Sequence, residues 1–334
     1  MGMARDGRKP VARSDRASGR GFPPTGEPFD VMQPSSDTQA CIPAPAGERP
    51  YPAPPAYPAS LLRVLALSGH GLWMLLGLAR ALGIYRGGRG EALLPLALGA
   101  VFVSTGLLAA CLHLPGLSEW HGWYPARRSR PTREALLVLA AYLPMLAVGG
   151  LVRGDNTFWA TRAAGAALAL CSAASLIYSV NRYRKRLSAG ALRCSAQLPI
   201  SRIVAAWYAG GLWMWLCLAA QDGAVHPAGT RPWIMVLLML ALLLGLIEGL
   251  RWQALGQADT RSTGSRGRTD RFVAALFTYA VPSLALLVVD LSDAGVPLVA
   301  LAAVSCLLGR TIEHRAYEGV LARLCRAERA GRGP

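Results

Sequence analysis

His113 closes one strongly apolar run of this 334-residue chain, and Glu134 opens the next, 21 residues later. If the two runs form a helical hairpin, the ends that flank the connection lie at one depth, and the two side chains can face a common pocket. An imidazole that titrates near neutral pH and a carboxylate at a membrane edge can hydrogen-bond the oxygens of a quinol head group and take its protons. Ionisable groups at such a place are expected to be functional. The plainer alternative is that His113 caps a helix while Glu134 pairs with Arg130 or Arg133, and the residues alone leave the two readings even. Between them lie Trp120, Trp123 and Tyr124, which suit an aromatic belt at headgroup level, and Arg127, Arg128 and Arg130, which suit topology control or docking of an acidic partner.

Other charged residues have ordinary explanations. Glu248 lies inside "LLLGLIEGLRW" and can pair with Arg251 three residues on; Glu313 stands in the same relation to Arg310 in "LLGRTIEHRAYEGVL". The basic aromatic cluster "LIYSVNRYRKRL" reads as snorkelling side chains at a helix end. A b-type haem needs two histidines on facing helices at matching depth. Here His70 falls mid-run, His113 at a run's end, His121 and His226 in connections and His314 after the last run. The seven cysteines include no C-x-x-C pair, so neither an iron–sulfur cluster nor a structural zinc is expected, and no metal site is assigned. "YRGGRG" is a turn rather than a nucleotide loop, because no Lys-Ser/Thr follows it.

The elements that would position these residues are helices in a membrane. With 53% hydrophobic and 16% charged residues, the chain is greasier than an ordinary soluble domain. The net charge of +16 is spread between apolar runs, an arrangement that suits lipid headgroups better than nucleic acid. Eight apolar windows run approximately over 57–82, 92–113, 134–153, 159–180, 200–221, 232–250, 271–289 and 295–312. Most reach the roughly 20 residues that a bilayer core requires. The expected fold is therefore all-α, an integral membrane bundle of eight transmembrane helices over residues 57–320. The last window is the weakest, and must include Arg310 or sit short.

The connections after windows two, four and six carry four, six and five basic residues, and the segment from Arg310 adds six arginines. The alternate connections carry three (Arg80, Arg86, Arg89), two (Arg153, Arg162), one (Arg231) and none. The positive-inside rule then places both termini in the cytoplasm. Residues 1–56 hold basic and proline-rich sequence that cannot bury a core, and read as a disordered arm, or as an over-long gene start with initiation near Met32. Residues 321–334 read as a basic tail.

The order of these features resembles the membrane-anchor subunit of dimethyl sulfoxide reductase, the DmsC family. "LHLP" closes the second window, a tryptophan-rich connection follows, "TREALLVLAAYLP" opens the third window, and "SLIYSVNRYR" closes the fourth with Ile177 and Tyr178. Gly309 and Arg310 near the end of the last window resemble the family's closing motif. Pro115 stands where the family has glycine, with Gly116 one residue later, and "TIEHRAY" replaces its usual aromatic pair. The likeness covers roughly residues 57–320. It implies an anchor in the bacterial inner membrane that binds menaquinol through His113 and Glu134, with Arg130 and Arg133 steadying the charge. The anchor itself would hold no haem or iron–sulfur cluster. Its partners would be an iron–sulfur subunit, which receives the electrons, and a molybdopterin catalytic subunit. The competing readings are a multi-span transporter, for which Pro144 and Pro282 would be the helix breaks, and a structural anchor without quinol binding.

Overall fold

The structure, a computed structural model, describes residues 57–85, 89–111, 133–152, 158–184, 198–222, 227–258, 265–291 and 295–330. The arm over 1–56, His113 and Arg130 lie outside them. The described residues form helices α1 (Tyr57–Ala81), α2 (Arg89–Cys111), α3 (Arg133–Leu151), α4 (Trp159–Arg184), α5 (Leu198–Asp222) and α6 (Pro227–Ala258). They continue with α7 (Ser265–Ala275), a π-helical segment (Leu276–Ala280), α8 (Val281–Leu291) and α9 (Gly295–Ala330). Six stretches are long and apolar enough to cross a membrane: one each in α1, α4, α5, α6 and α9, and one running through α7, the π segment and α8. The apolar stretches described in α2 and α3, Glu91–Leu107 and Leu136–Leu151, are shorter. The outward faces are as apolar as the interior, with Leu136, Leu139, Leu143 and Leu146 exposed along α3 and Met235, Met239, Leu242 and Leu246 along α6. In water such stripes would be a liability; in lipid they are the solvent-facing surface.

Hydrocarbon offers little hydrophobic drive for helix association, so close backbone approach must supply the contact. α1 has three such approaches. A Cβ on Gly71 would lie 1.8 Å from the Ala206 carbonyl oxygen of α5, and one on Gly210 would lie 2.3 Å from the Gly71 backbone. Gly77 and Gly165 also bring α1 to backbone contact with α4, less closely, with a Cβ on Gly77 2.5 Å from the Gly165 carbonyl oxygen, and Gly99 of α2 leaves the space filled by the Trp73 indole. That indole is fully buried and donates to the Leu96 carbonyl at 3.2 Å. α1 then ends at Gly83, whose φ of 72° is the left-handed cap, with Ile84 N–H returning to the Ala79 carbonyl. α2 and α3 are joined by a 2.7 Å hydrogen bond between Ser104 Oγ and Tyr142 Oη.

Prolines inside helices leave carbonyls without their amide partners, and in lipid these need other donors. α5 supplies two of them. Pro95 in α2 frees the Glu91 carbonyl, which accepts from Gln221 Nε2 at 2.8 Å. Pro282 follows the π segment, and the Thr278 carbonyl accepts from Tyr208 Oη at 3.1 Å while the Phe277 carbonyl accepts from Ser305 Oγ at 2.7 Å. Pro282 thus sits beside a change of helical pitch, whereas α3 runs on through Pro144.

Several sequence expectations change here. Arg80 belongs to α1 and is buried, with its guanidinium 4.4 Å from the Tyr85 ring centre, and is not a loop residue. Arg162 lies in the first turn of α4 and donates to the carbonyls of Ala81 and Leu82, both at 3.2 Å. α9 includes Arg310 and continues past residue 320 to Ala330, so the tail expected from 321 begins as helix. Leu321 is buried against Tyr317, Val320, Leu198 and Leu255.

Gly71→Leu should destabilise the purified protein by more than about 1–3 kcal/mol, because the carbonyl it meets is backbone and cannot move aside. Gly150→Leu, where a Cβ meets nothing within 4 Å, should change the melting temperature little. Equal effects in thermal unfolding would sink the account of the α1–α5 crossing.

Candidate functional site: a buried arginine and carboxylate cluster

Four helices bring charge to one end of the bundle. α6 places Glu248 and Arg251 three residues apart, hence on one face. α9 places Arg310, Glu313, His314, Tyr317 and Glu318 at intervals that share a face. The first two turns of α5 and α1 add Ser201, Arg202 and Arg63. What aims Arg310 inward is the residue before it: Gly309 packs on the π segment, where a Cβ would lie 2.5 Å from the Thr278 nitrogen.

Glu248 is the hub. Its Oε1 accepts from Ser201 Oγ at 2.6 Å and from Arg251 Nη1 at 2.9 Å, and Arg310 Nη1 reaches it at 3.3 Å. Its Oε2 takes a second contact from Arg251 Nη1 at 2.8 Å. Arg310 also pairs with Glu313 Oε2 at 2.5 Å. The Arg251 guanidinium stacks 3.3 Å from the Tyr317 ring centre. A second group adjoins the first: Arg63 Nη1 donates to Glu318 Oε1 at 2.6 Å, His314 Nε2 lies 3.1 Å from the same oxygen, and Arg202 Nη2 is 3.5 Å from His314 Nδ1. The His314 to Glu318 contact is within ion-pair distance but is not aligned as a hydrogen bond.

The Glu248 and Arg251 side chains are only 4% and 6% exposed. Charges so far from water are costly unless each is paired and hydrogen-bonded, and here each carboxylate has at least one guanidinium. A cavity of about 20 Å³ opens among Val64, Leu67, Arg202, Glu248, Arg251, Arg310, Glu313, His314 and Tyr317. That is room for about one water molecule and not for an aromatic ring. The cluster is suited to holding charge in place, to a bound water or to a small anionic group. Among the described residues, no three His, Cys, Asp or Glu side chains gather as a metal ion would need.

Of the residues expected to bind quinol, Arg133 and Glu134 open α3, though their side chains, like all of His113 and Arg130, lie outside what the structure describes. The two pairings expected from spacing, Glu248 with Arg251 and Glu313 with Arg310, are present. That Arg310 bridges the two pairs, and that Ser201, Arg202 and Arg63 join them, was not expected. Arg63 and Glu318 are 255 positions apart, and no local signal links them. His70 is buried in α1 with its Nδ1 unpartnered, edge-on to Trp73 at 6.1 Å. Cys171, Cys217 and Cys306 lie within helices as free thiols, the last two buried, as expected of small apolar fillers.

Glu248→Leu should cost about 3–5 kcal/mol, because it leaves Arg251 without a carboxylate in a buried site. The double variant Glu248→Leu with Arg251→Leu removes the pair together and keeps Arg310 with Glu313. It should recover much of that loss in thermal unfolding of the detergent-solubilised protein. A double variant as unstable as the sum of its parts would show that the two charges are not coupled.

Comparison of the chain with protein-family models, with curated proteins and with solved structures gives no match.

Proposed function

We propose that this chain is the membrane-anchor subunit of a dimethyl sulfoxide reductase-like molybdoenzyme complex, a member of the DmsC family. In that role it oxidises menaquinol and passes electrons to an iron–sulfur subunit in anaerobic respiration. On this reading α2 and α3 also cross the bilayer, which makes eight spans, and the protein lies in the bacterial inner membrane with both termini in the cytoplasm. The observation that carries the reading is the Ser104 to Tyr142 hydrogen bond, which pins α2 and α3 at a known register. His113 is nine residues beyond Ser104, and Glu134 is eight residues before Tyr142. If the two apolar runs form the hairpin that the sequence suggests, the two positions would lie at similar depth. That is the arrangement a quinol pocket needs, with His113 and Glu134 taking the protons and Arg130 and Arg133 steadying the charge. The iron–sulfur and molybdopterin subunits supply the redox centres.

A second reading, a multi-span transporter, is favoured by the π segment beside Pro282 and by the buried charges of α6 and α9. The two separate cleanly in a purified complex with its partner subunits. His113→Arg should abolish quinol-dependent reduction of an external acceptor while assembly is retained, and a quinone-site inhibitor should bind the unaltered complex saturably. Full quinol oxidation in His113→Arg would overturn the site. Absence of saturable inhibitor binding would leave only a structural anchor or a transporter.

A further inference from the structure

The cavity beside Glu248 carries an imbalance. Its lining holds three guanidinium groups, Arg202, Arg251 and Arg310, against two carboxylates, Glu248 and Glu313. The neighbouring Arg63 and Glu318 pair with each other and leave the difference unchanged. Arg202 accounts for it. Among the described residues no carboxylate oxygen lies within ion-pair distance of Arg202, and its Nη2 meets only the imidazole of His314, at 3.5 Å. Among the lining residues, Arg251 Nε is buried without a hydrogen-bond partner and the Arg251 side chain is only 6% exposed, whereas His314 Nε2 faces Glu318 Oε1 at 3.1 Å. An uncompensated positive charge among apolar helices is expensive, and an anion in the cavity would remove the cost.

We propose that this cavity is a binding site for a singly charged phosphate group, supplied by the headgroup of an anionic phospholipid such as phosphatidylglycerol. Arg202 is its principal ligand, and Arg251 Nε is the donor behind it. A phosphodiester carries the single negative charge the lining lacks, and its oxygens accept the charge-assisted hydrogen bonds that guanidinium groups make best. The small volume admits one anionic oxygen edge and not a large solute. A lipid fits the position better than a soluble anion. The site lies at the end of the bundle where α1 and α5 begin, and Arg202 itself is part-exposed there, while Val64 and Leu67 close the cavity from the buried side. Basic pockets between transmembrane helices take anionic headgroups in this way.

The test uses the full chain in nanodiscs of phosphatidylcholine, with phosphatidylglycerol titrated in or inorganic phosphate added to the buffer. The readout is the ligand-dependent change in melting temperature within each variant, so that a variant's own stability does not enter. Phosphatidylglycerol should raise the midpoint of the unaltered protein, and its apparent affinity should fall about tenfold in Arg202→Gln, equivalent to about 1.4 kcal/mol. Arg202→Lys, which keeps the charge, should retain most of the effect, as should Arg323→Gln, which removes an exposed arginine of α9 outside the cavity. An Arg202-dependent gain from inorganic phosphate alone would support the phosphate site and overturn its lipid source. The proposal is overturned if neither ligand shifts the midpoint, or if Arg202→Gln and Arg323→Gln respond alike, since that would be surface charge attraction.

Discussion

The arrangement of this bundle depends on how closely α1 approaches its neighbours. In lipid, an apolar side chain gains little by leaving hydrocarbon for protein, so helices are held by packing and hydrogen bonds rather than by exclusion from water. Gly71 against Ala206 and Gly210, and Gly77 against Gly165, let α1 meet α5 and α4 at backbone contact, and Gly99 of α2 makes room for the Trp73 indole. α1 thereby becomes the axis around which the α1–α4 core and the core of α5, α6, α8 and α9 are both assembled. Its second and third turns, with Arg63, Val64 and Leu67, reach the charged cluster only because these crossings fix its depth.

The same logic explains the prolines. Pro95 and Pro282 interrupt ladders that the bilayer would otherwise require to be complete, and both interruptions are met by side chains from helices held close enough to reach them. Gln221 and Tyr208 come from α5, Ser305 from α9. The π segment is therefore a place where backbone and side chains of three helices interlock. Gly309 packs directly against it, which puts Arg310 one residue further into the path of Glu248.

The charged cluster is a network rather than a set of surface pairs. A single Glu to Arg pair three residues apart on an exposed helix contributes a few tenths of a kcal/mol. Buried, the same pair becomes a liability unless other partners fill the remaining valences. Ser201 and the bridging Arg310 do this for Glu248, and stacking on Tyr317 covers one face of Arg251. Arg202 is the exception: among the described residues it is held beside an imidazole, and no carboxylate oxygen is within ion-pair distance.

The sequence by itself determined the helical class, the ends of the first five apolar runs to within a few residues, and the pairs made within one helix, Glu248 with Arg251 and Glu313 with Arg310. These follow from hydropathy and from the 3.6-residue period, which are local properties. It misplaced Arg80 and Arg162 in connections, because charge is a poor guide to a helix end when a tyrosine ring or a neighbouring helix's carbonyls can take up the guanidinium. It ended the last helix too early, because nothing local shows that Leu321 packs on Leu198 and Leu255. Only the tertiary structure decided which helices cross at glycine, that Arg63 meets Glu318, and that four guanidinium groups converge on three carboxylates. Those contacts join residues far apart in the chain, and their geometry is set by backbone separations between helices that no spacing within one helix records.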